Sequence, residues 1–340
     1  MSSPPRVTSI DVARHAGVSQ SAVSRVFTPG ASVSQAMIAR VRRAAEELGY
    51  RPNPLARAMI TGRSRMIGLV VAYLDNQFYP VAIERLSHAL QAQGYHVLLF
   101  MASNTPGEID RVVADLLAYR VDGIVTASVA MSNDMTRRCA DAGIPVVLFN
   151  RGQPGAGLSS VTSANREGGR RVAGFLLAGG HRRLAHVSGW QGSSTGRDRQ
   201  QGFLEALAEA GIAPVAVTDG MYARQTAAEA ALALMERAEA PDAIFVGNDH
   251  MAFAVLDALR GQGVAVPGQV SVVGYDDVPM AGWAAYDLTT VRQPLNRMVE
   301  ATVETLLAQI ATPDRPAQNI EIDGPLIVRG TARVPEGSAP

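Results

Sequence analysis

The sequence predicts a small all-α head followed by an α/β body of two lobes, each lobe a parallel, doubly wound sheet. Three observations predict it. Before Met66 the apolar residues recur at helical spacing amid an excess of arginine. From Met66 onward, short apolar runs alternate with amphipathic stretches, the signature of strands paired in parallel through crossover helices. That alternation comes in two successive series, so the sheets are two. A chain of 340 residues is too long for one ordinary core and suits two or three domains.

Composition narrows the function classes. The apolar fraction of 47% is that of a globular protein. No uninterrupted apolar run reaches the about 18 residues of a membrane span. The opening Met1-Ser2-Ser3-Pro4-Pro5-Arg6 has no apolar stretch behind it, which argues against a secretory signal. Cys139 is the single cysteine and reads as a small apolar helix residue rather than a nucleophile. The formal net charge of zero hides an asymmetry. Up to Arg65 there are ten arginines against Asp11, Glu46 and Glu47, giving +7; the remainder has 21 arginines against 28 acids, giving −7. A basic head on an acidic body suggests that only the head meets a polyanion.

In the head, Thr8 to Thr28 reads as two short helices joined by a tight turn. Thr8 can cap the first helix, whose apolar side is Ile10, Val12, Ala13 and Ala16. Gly17 supplies the left-handed corner. Ser19 can cap the second helix, in which Ala22, Val23 and Val26 turn inward and Gln20, Ser21, Ser24 and Arg25 face out. Short polar groups at a helix start with an arginine one turn later suit a DNA major groove. Two such helices alone would equally suit a helical hairpin in another core. After the loop Pro29–Ser32, a third helix runs from Ser34 to about Leu48. Its stripe is Met37, Ile38, Val41, Ala44, Ala45 and Leu48, and Gly49 closes it. The run Tyr50–Ser64 then carries Pro52 and Pro54 ahead of helix formers, a break followed by a helix too short to be stable alone.

In the body, the first series places strands at Ile67–Ala72, Tyr95–Met101, Gly123–Thr126 and Pro145–Phe149, with helices at Pro80–Gln93, Glu108–Arg120 and Ser132–Ala142. The second places strands at Leu184–Ser188, Val215–Thr218, Ala243–Val246 and Ser271–Gly274. Its helices lie near Glu167–Leu177, Arg199–Ala210, Ala223–Arg237 and Met251–Gln262. Ligands of such sheets bind beyond the carboxyl ends of the strands, here in a cleft between two lobes. The segments after the strands carry Asp75–Tyr79, Asn150-Arg151, Ser193–Arg199, Gly220–Tyr222, Gly247–Asp249 and Tyr275–Asp277. These amides, carboxylates, hydroxyls, arginines and aromatics suit a polyhydroxylated ligand. Asn248 or Asp249, and Asp276 or Asp277, could instead cap the helices that follow; one of each pair is expected to cap and the other to face the cleft.

Several motifs exclude other chemistries. His181, His186 and Cys139 have no zinc spacing. The glycine pairs 168–169 and 179–180 lack the spacing of a phosphate loop or dinucleotide fingerprint. Ser188-Gly189-Trp190 is not a nucleophile elbow. No cofactor, metal or catalytic residue is expected, and the chain is read as a non-enzyme.

The start Ala13-x-x-Ala16-Gly17-Val18-Ser19 followed by Val23-Ser24-Arg25-Val26 resembles the lactose-repressor (LacI/GalR) family of bacterial transcription regulators. The resemblance extends over nearly the whole body through Arg199-x-x-Gly202-Phe203, Gly247-Asn248-Asp249-x-Met251-Ala252, Ser271–Asp277 and Leu288–Pro294. It implies a helix-turn-helix DNA-binding domain (1–52), a hinge helix and linker (53–65), and a periplasmic-binding-protein-like effector and dimerisation domain (66–340). Within the last, lobe 1 spans approximately 66–157 plus 292–325, and lobe 2 spans 158–291 plus the C-terminal strand. The resemblance implies DNA contacts from Thr8, Ser19, Gln20, Ser21, Ser24, Arg25 and Thr28, and from Asn53, Arg57 and Met59 in the hinge. Met59 stands where the family usually has the leucine that wedges into the operator's central minor groove. By position, Asn150, Thr195, Arg199, Tyr222, Asn248 and Asp276 match effector-contacting positions, Asn76, Phe78 and Tyr79 fall in the first lobe's effector loop, and Gln293 joins them. Two departures stand out: Ala164-Asn165 replaces a frequent Asp-Asn, and Asn76-Gln77-Phe78 replaces Asn-Pro-Phe. No leucine-heptad tail follows, so a homodimer is expected rather than a tetramer. The implied function is a cytoplasmic regulator, a repressor in most members. It would bind a pseudo-palindromic operator through major and central minor grooves, under control of a sugar or sugar derivative. The alternative is a transport-type sugar-binding protein with the same body and no DNA role.

Overall fold

A computed structural model describes residues 7–28, 31–51, 63–102, 107–129 and 131–335. The chain forms two compact units, Met1–Arg65 and Met66–Pro340.

The first unit contains α1 (Ser9–Ala16), α2 (Gln20–Val26) and α3 (Gln35–Glu47). Thr8 caps α1 in a reciprocal box with Asp11, whose carboxyl is held below the usual range by the Thr8 hydroxyl. Gly17 turns the corner at φ 63°, and Ser19 and Ser34 cap the next two helices through their hydroxyls. Val12, Ala13, Ala16, Val23, Val26, Val41, Ala44 and Ala45 form the core. Ile10, expected on the apolar side of α1, is 52% exposed. At 3.6 residues per turn it sits about 200° around the helix from Val12, the centre of the buried stripe.

In the second unit, the first sheet contains β1 (Met66–Val71), β2 (His96–Met101), β3 (Gly123–Ala127), β4 (Val146–Phe149), β5 (Ser159–Ser163) and a late strand, Asn319–Ile322. Its order is the late strand, β5, β4, β3, β1, β2, all parallel. Helices α4 (Phe78–Ala92), α5 (Glu108–Ala118) and α6 (Asn133–Asp141) make its crossovers. β1, β3 and β4 are nearly continuous apolar runs buried on both faces, as a parallel interior strand requires.

The chain crosses to the second lobe at Ala164 and continues as α7 (Asn165–Ala178), β6 (Leu184–Ser188), α8 (Ser194–Glu209), β7 (Ala216–Asp219), α9 (Arg224–Met235), β8 (Ala243–Val246), α10 (Asp249–Gly261), β9 (Ser271–Asp276) and β10 (Thr289–Arg292). It returns as α11 (Leu295–Ala311), which packs on β3, β4, β5 and α4, and as the late strand, β11. Finally β12 (Leu326–Ile327) pairs antiparallel with β10, making the second sheet's order β12, β10, β9, β8, β6, β7.

The boundary at 157/158 is corrected by this topology. β5 does not open the second lobe; it is an inner strand of the first sheet, between β4 and β11. Its Ser-Ser-Val-Thr-Ser sequence has one large apolar residue, so no local hydrophobic signal says which sheet takes it. The partner strand is supplied from the far end of the chain. Helix α8 also starts earlier than expected, because Ser193 accepts a hydrogen bond from the Gly196 N–H at 3.1 Å and caps it. No helix among the described residues is long and apolar enough to cross a membrane.

Candidate functional site

On α2, packing of Ala22, Val23 and Val26 inward leaves Gln20, Ser21, Ser24 and Arg25 exposed along the other side. Ser19 serves as the cap, accepting from the Ala22 N–H at 3.2 Å, and lies 2.9 Å from the Ser21 hydroxyl. The Gln20 amide donates to Ser9 Oγ at 3.1 Å, tying the start of α2 to α1. Thr28 donates to the Ser24 carbonyl at 2.8 Å. Thr8 is engaged in its capping box. Arg25 makes no ion pair or side-chain hydrogen bond among the described residues, so its guanidinium is available to an external acceptor. Asn53, Arg57 and Met59 lie outside the described residues.

The second site forms where the carboxyl ends of the two sheets meet. Ten residues line one cavity: Tyr73, Asn76 and Tyr79 after β1, Asn150 and Arg151 after β4, Thr195 and Arg199 on α8, Tyr222 after β7, Asn248 after β8 and Asp276 ending β9. Eight of these are effector positions that the resemblance implies; Arg151 belongs to a strand-end segment legible in the sequence, and Tyr73 is new. Three stand on unusual backbone: Asn150 (φ 70°), Tyr222 (φ 56°) and Asp276 (φ 127°). Non-glycine residues rarely hold such angles unless the surroundings enforce them, and enforcement clusters at sites of function.

Arg199 organises the second lobe's side of the cleft. It is buried. Its Nε donates to Asn165 Oδ1 at 2.8 Å, one terminal nitrogen donates to the Gly247 carbonyl at 2.7 Å, and the same nitrogen lies 3.4 Å from Asp276 Oδ1. Its guanidinium carbon sits 3.7 Å from the centre of the Tyr275 ring. Asn165 is held in turn by donating to the Ser163 carbonyl. Ala164, where the family frequently has Asp, is the N-cap of α7 and provides no side-chain cap. The departure leaves this helix start without a side-chain cap, and the Asn165–Arg199 bond is present beside it. Burial raises the Asp276 carboxyl above its usual range, and Arg199, Gln293 and Asn76 work against that rise.

The first lobe's side is a hydrogen-bonded group of tyrosines. Asn150 Nδ2 donates to the Tyr79 hydroxyl at 2.9 Å, and Tyr79 also meets the Ser128 hydroxyl. Arg151 donates to the Ser128 carbonyl at 2.9 Å and to the Tyr73 hydroxyl at 2.7 Å. Across the cleft, the Thr195 hydroxyl lies 2.9 Å from that of Tyr222. Asn150 Oδ1 is buried with no hydrogen-bond partner among the described residues.

Four expectations are corrected. Phe78 does not line this cavity. It packs into the core, stacked on Phe149 at 6.2 Å, because it begins α4 on the face turned to the sheet. It borders an adjoining cavity of about 470 Å³ instead. Gln293 stands behind the cleft and donates to Asp276 Oδ1 at 2.7 Å, so it positions that carboxylate. Asn248 does both tasks expected of the 248/249 pair: its Oδ1 accepts from the Met251 N–H at 3.0 Å, and the residue lines the cleft. Asp249 is fully buried, accepting from Val278 N–H and Thr290 Oγ1, and burial pushes its carboxyl up. Asp277 caps no helix; it binds Arg292 at 2.6 Å and Arg329 at 2.7 Å.

The lobes are drawn together in this conformation. The Gly152 N–H donates to Ser194 Oγ at 3.0 Å, and His250 lies 3.7 Å from Asp75. The space left inside the lining is about 10 Å³, no more than one water occupies. Elsewhere, burial pushes the Cys139 thiol up to about 11, unsuited to a nucleophile. The described residues contain no group of three or more acidic, histidine or cysteine side chains placed to hold a metal ion.

Comparison with known proteins matches both units. Residues 10–53 match the model for bacterial regulatory proteins of the lacI family, and residues 173–332 match the periplasmic binding protein-like domain. The chain is 31% identical over 333 residues to the HTH-type transcriptional repressor PurR of Vibrio atlanticus, covering 95% of this chain and 98% of that one. It is similar to a solved complex of the transcriptional regulator CelR with cellobiose (32% identity, TM-score 0.73, 96% of this chain and 100% of that one). It is also similar to the lac repressor dimer bound to operator and the anti-inducer ONPF (26% identity, TM-score 0.87, 96% and 99%).

Proposed function

The chain belongs to the lacI family of bacterial regulatory proteins and is a sequence-specific DNA-binding transcriptional regulator; we propose that it is a repressor whose operator affinity is set by a sugar or sugar derivative bound between the two lobes. The observation that carries the reading is the convergence of eight expected residues on one cleft at the carboxyl ends of both sheets. The relatives support it: one is a named repressor, and one solved regulator holds a disaccharide.

In this reading Gln20, Ser21, Ser24 and Arg25 meet base edges and phosphates of a half-site. Thr8, Ser19 and Thr28 hold the helix ends that present them. Residues 53–65 form the hinge, with Asn53, Arg57 and Met59 toward the minor groove of a pseudo-palindromic operator bound by a homodimer. The cleft is too small as it stands for a sugar ring, so an effector enters by separating the lobes. It then exchanges cross-lobe bonds, such as Gly152–Ser194, for bonds to its own hydroxyls. The change in lobe arrangement is passed through the first lobes of the dimer to the hinges. A coupling of about 1–3 kcal/mol alters operator affinity about 5- to 150-fold. The protein acts in the cytoplasm, where the operator is, and binds without catalysing a reaction.

Arg25→Ala tests the assignment. Specific operator binding in a gel-shift assay is lost while stabilisation by the effector in thermal unfolding persists. Intact sequence-specific binding by this variant refutes α2 as the reading helix. The transport-type reading is favoured if wild-type protein binds the sugar but no operator.

A further inference from the structure

The effector cleft contains a buried cation with no counter-ion among the described residues. Arg151 is 8% exposed, and its guanidinium is always protonated. Its hydrogen bonds go to a carbonyl, that of Ser128, and to a phenol, that of Tyr73. Among the described residues no carboxylate lies within ion-pair distance of it, and its Nε has no hydrogen-bond partner. The other charges nearby are matched: Arg199 faces Asp276, while Asp277 is bridged by Arg292 and Arg329. The Tyr73 and Tyr222 rings lie 6.0 and 5.6 Å from the guanidinium carbon, near the about 6 Å limit at which a ring stabilises a cation. Removing a charge from water without an opposite charge is costly, so a buried arginine in this state points to an anion that arrives from outside.

The place for that anion is next to it. A chamber of about 290 Å³ opens between the lobes, with Arg151, Gly152 and Gln153 on the first lobe and Trp190, Ser193 and Arg197 on the second. No acidic residue lines it. Arg197 is exposed, donates to the Gln191 carbonyl and makes no ion pair among the described residues. The amino terminus of the 16-residue α8 also ends here, with no acid in its first turn, and contributes its positive dipole end. Arg151 lines both this chamber and the effector cavity, so one ligand can reach both.

We propose that the effector is an anionic polyol, a phosphorylated or carboxylated sugar-sized molecule. Its hydroxylated part binds at Asn150, Asn248 and Asp276, and its anion occupies the chamber against Arg151, Arg197 and the start of α8. The proposal rests on the assignment of the cleft as the effector site. It also gives the anion a mechanical role: bound by Arg151 of one lobe and Arg197 of the other, it draws the lobes together in a way a neutral sugar cannot.

The test uses the full-length protein in thermal unfolding, with inorganic phosphate titrated against potassium chloride at equal ionic strength. Phosphate is expected to raise Tm saturably, chloride is not, and Arg197→Gln is expected to weaken phosphate about tenfold, the loss of one charge-assisted hydrogen bond. Arg151→Gln is expected to remove the shift and Arg151→Lys to retain part of it. Because Arg197 is exposed, its variant keeps the test decisive even if the Arg151 variants fold poorly. Glucose, glucose 6-phosphate and glucuronate then separate the sources of the charge, the larger shift naming phosphate or carboxylate. The proposal is overturned if phosphate gives no saturable shift in the wild type, or if the shift is undiminished in Arg197→Gln. A neutral hexose that stabilises the protein through Arg199 while phosphate does nothing leaves the cleft assignment standing and the anion refuted. Phosphate acting through Arg151 and Arg197, with no polyol adding to it, supports the anion site and refutes the cleft assignment.

Discussion

Replacing Arg199 with alanine removes four interactions from the buried side of the cleft. The Asp276 carboxylate loses its neighbouring cation at 3.4 Å, and the Asn165 Oδ1 and Gly247 carbonyl lose donors at 2.8 and 2.7 Å. The Tyr275 face loses the guanidinium stacked on it at 3.7 Å. Deleting one member of a buried ion pair costs about 3–5 kcal/mol, because the other charge stays buried without compensation. For a body of this size that is a fall in Tm of about 5–9 °C. Part of the loss is recovered at low pH. Asp276 already has its carboxyl raised by burial, and without Arg199 it is raised further, so protonation relieves the variant as pH falls. The assay is urea unfolding of wild type, Arg199→Ala, Asp276→Asn and the double variant at pH 7. The double variant is expected to be more stable than the sum of the single losses implies, since the unpaired carboxylate is gone. Operator binding survives in Arg199→Ala, and the effector response does not. A single-variant loss below about 1 kcal/mol, within the range of an exposed pair, or strictly additive losses would refute the role given to this pair. A retained effector response would refute the cleft.

Gly202→Ala strikes the same site through the backbone. A Cβ there would lie 1.8 Å from the Arg166 carbonyl oxygen, where α8 crosses α7, and the reciprocal Gly169 faces the Arg199 carbonyl at 2.1 Å. Separating the helices is expected to cost about 1–3 kcal/mol or more and to weaken the effector response by displacing Arg199; wild-type stability and response would refute the close crossing. His186 governs part of the acid limb of stability. Burial pulls its imidazole down to about 4, from 6.5, so the folded state resists protonation. Stability from this group is complete above pH 6.5 and declines as pH falls toward 4, by roughly 3 kcal/mol in all. His186→Leu should lose less stability than wild type between pH 7 and pH 4.5 in urea unfolding, and equal losses would contradict it. Met59→Gly should weaken operator binding by loosening the hinge, and unchanged affinity would favour a plain linker.

Much of the site was legible because ligands of parallel sheets meet the carboxyl ends of strands, and strand ends can be read from short apolar runs. Asn150, Asn248 and Asp276 each lie within two residues of the end of such a run, and each lines the cleft. Arg151 was harder to assign. It stands beside Asn150 in sequence, but whether it turns to solvent or to the cleft depends on Tyr73 and Ser128, which arrive from other loops. Phe78 differs from its expected place for a related reason. As the first residue of α4 it could face either way, and the stacking on Phe149, a residue of β4, turns it inward.

Local chemistry in the sequence determined the capped helices of the head, the outward placement of Gln20, Ser21, Ser24 and Arg25, the two βα series and the residues offered at their strand ends. Each follows from interactions within about one helical turn or one strand, which neighbouring residues specify by themselves. The tertiary structure decided what lies opposite what. It paired β5 with a strand from Asn319–Ile322, set the Asp276 carboxylate against Arg199, closed the cleft to about 10 Å³ and left Arg151 buried with no counter-ion among the described residues. These are relations between segments far apart in the chain. They exist only after both sheets have formed and the lobes have met, and no spacing within one segment encodes them.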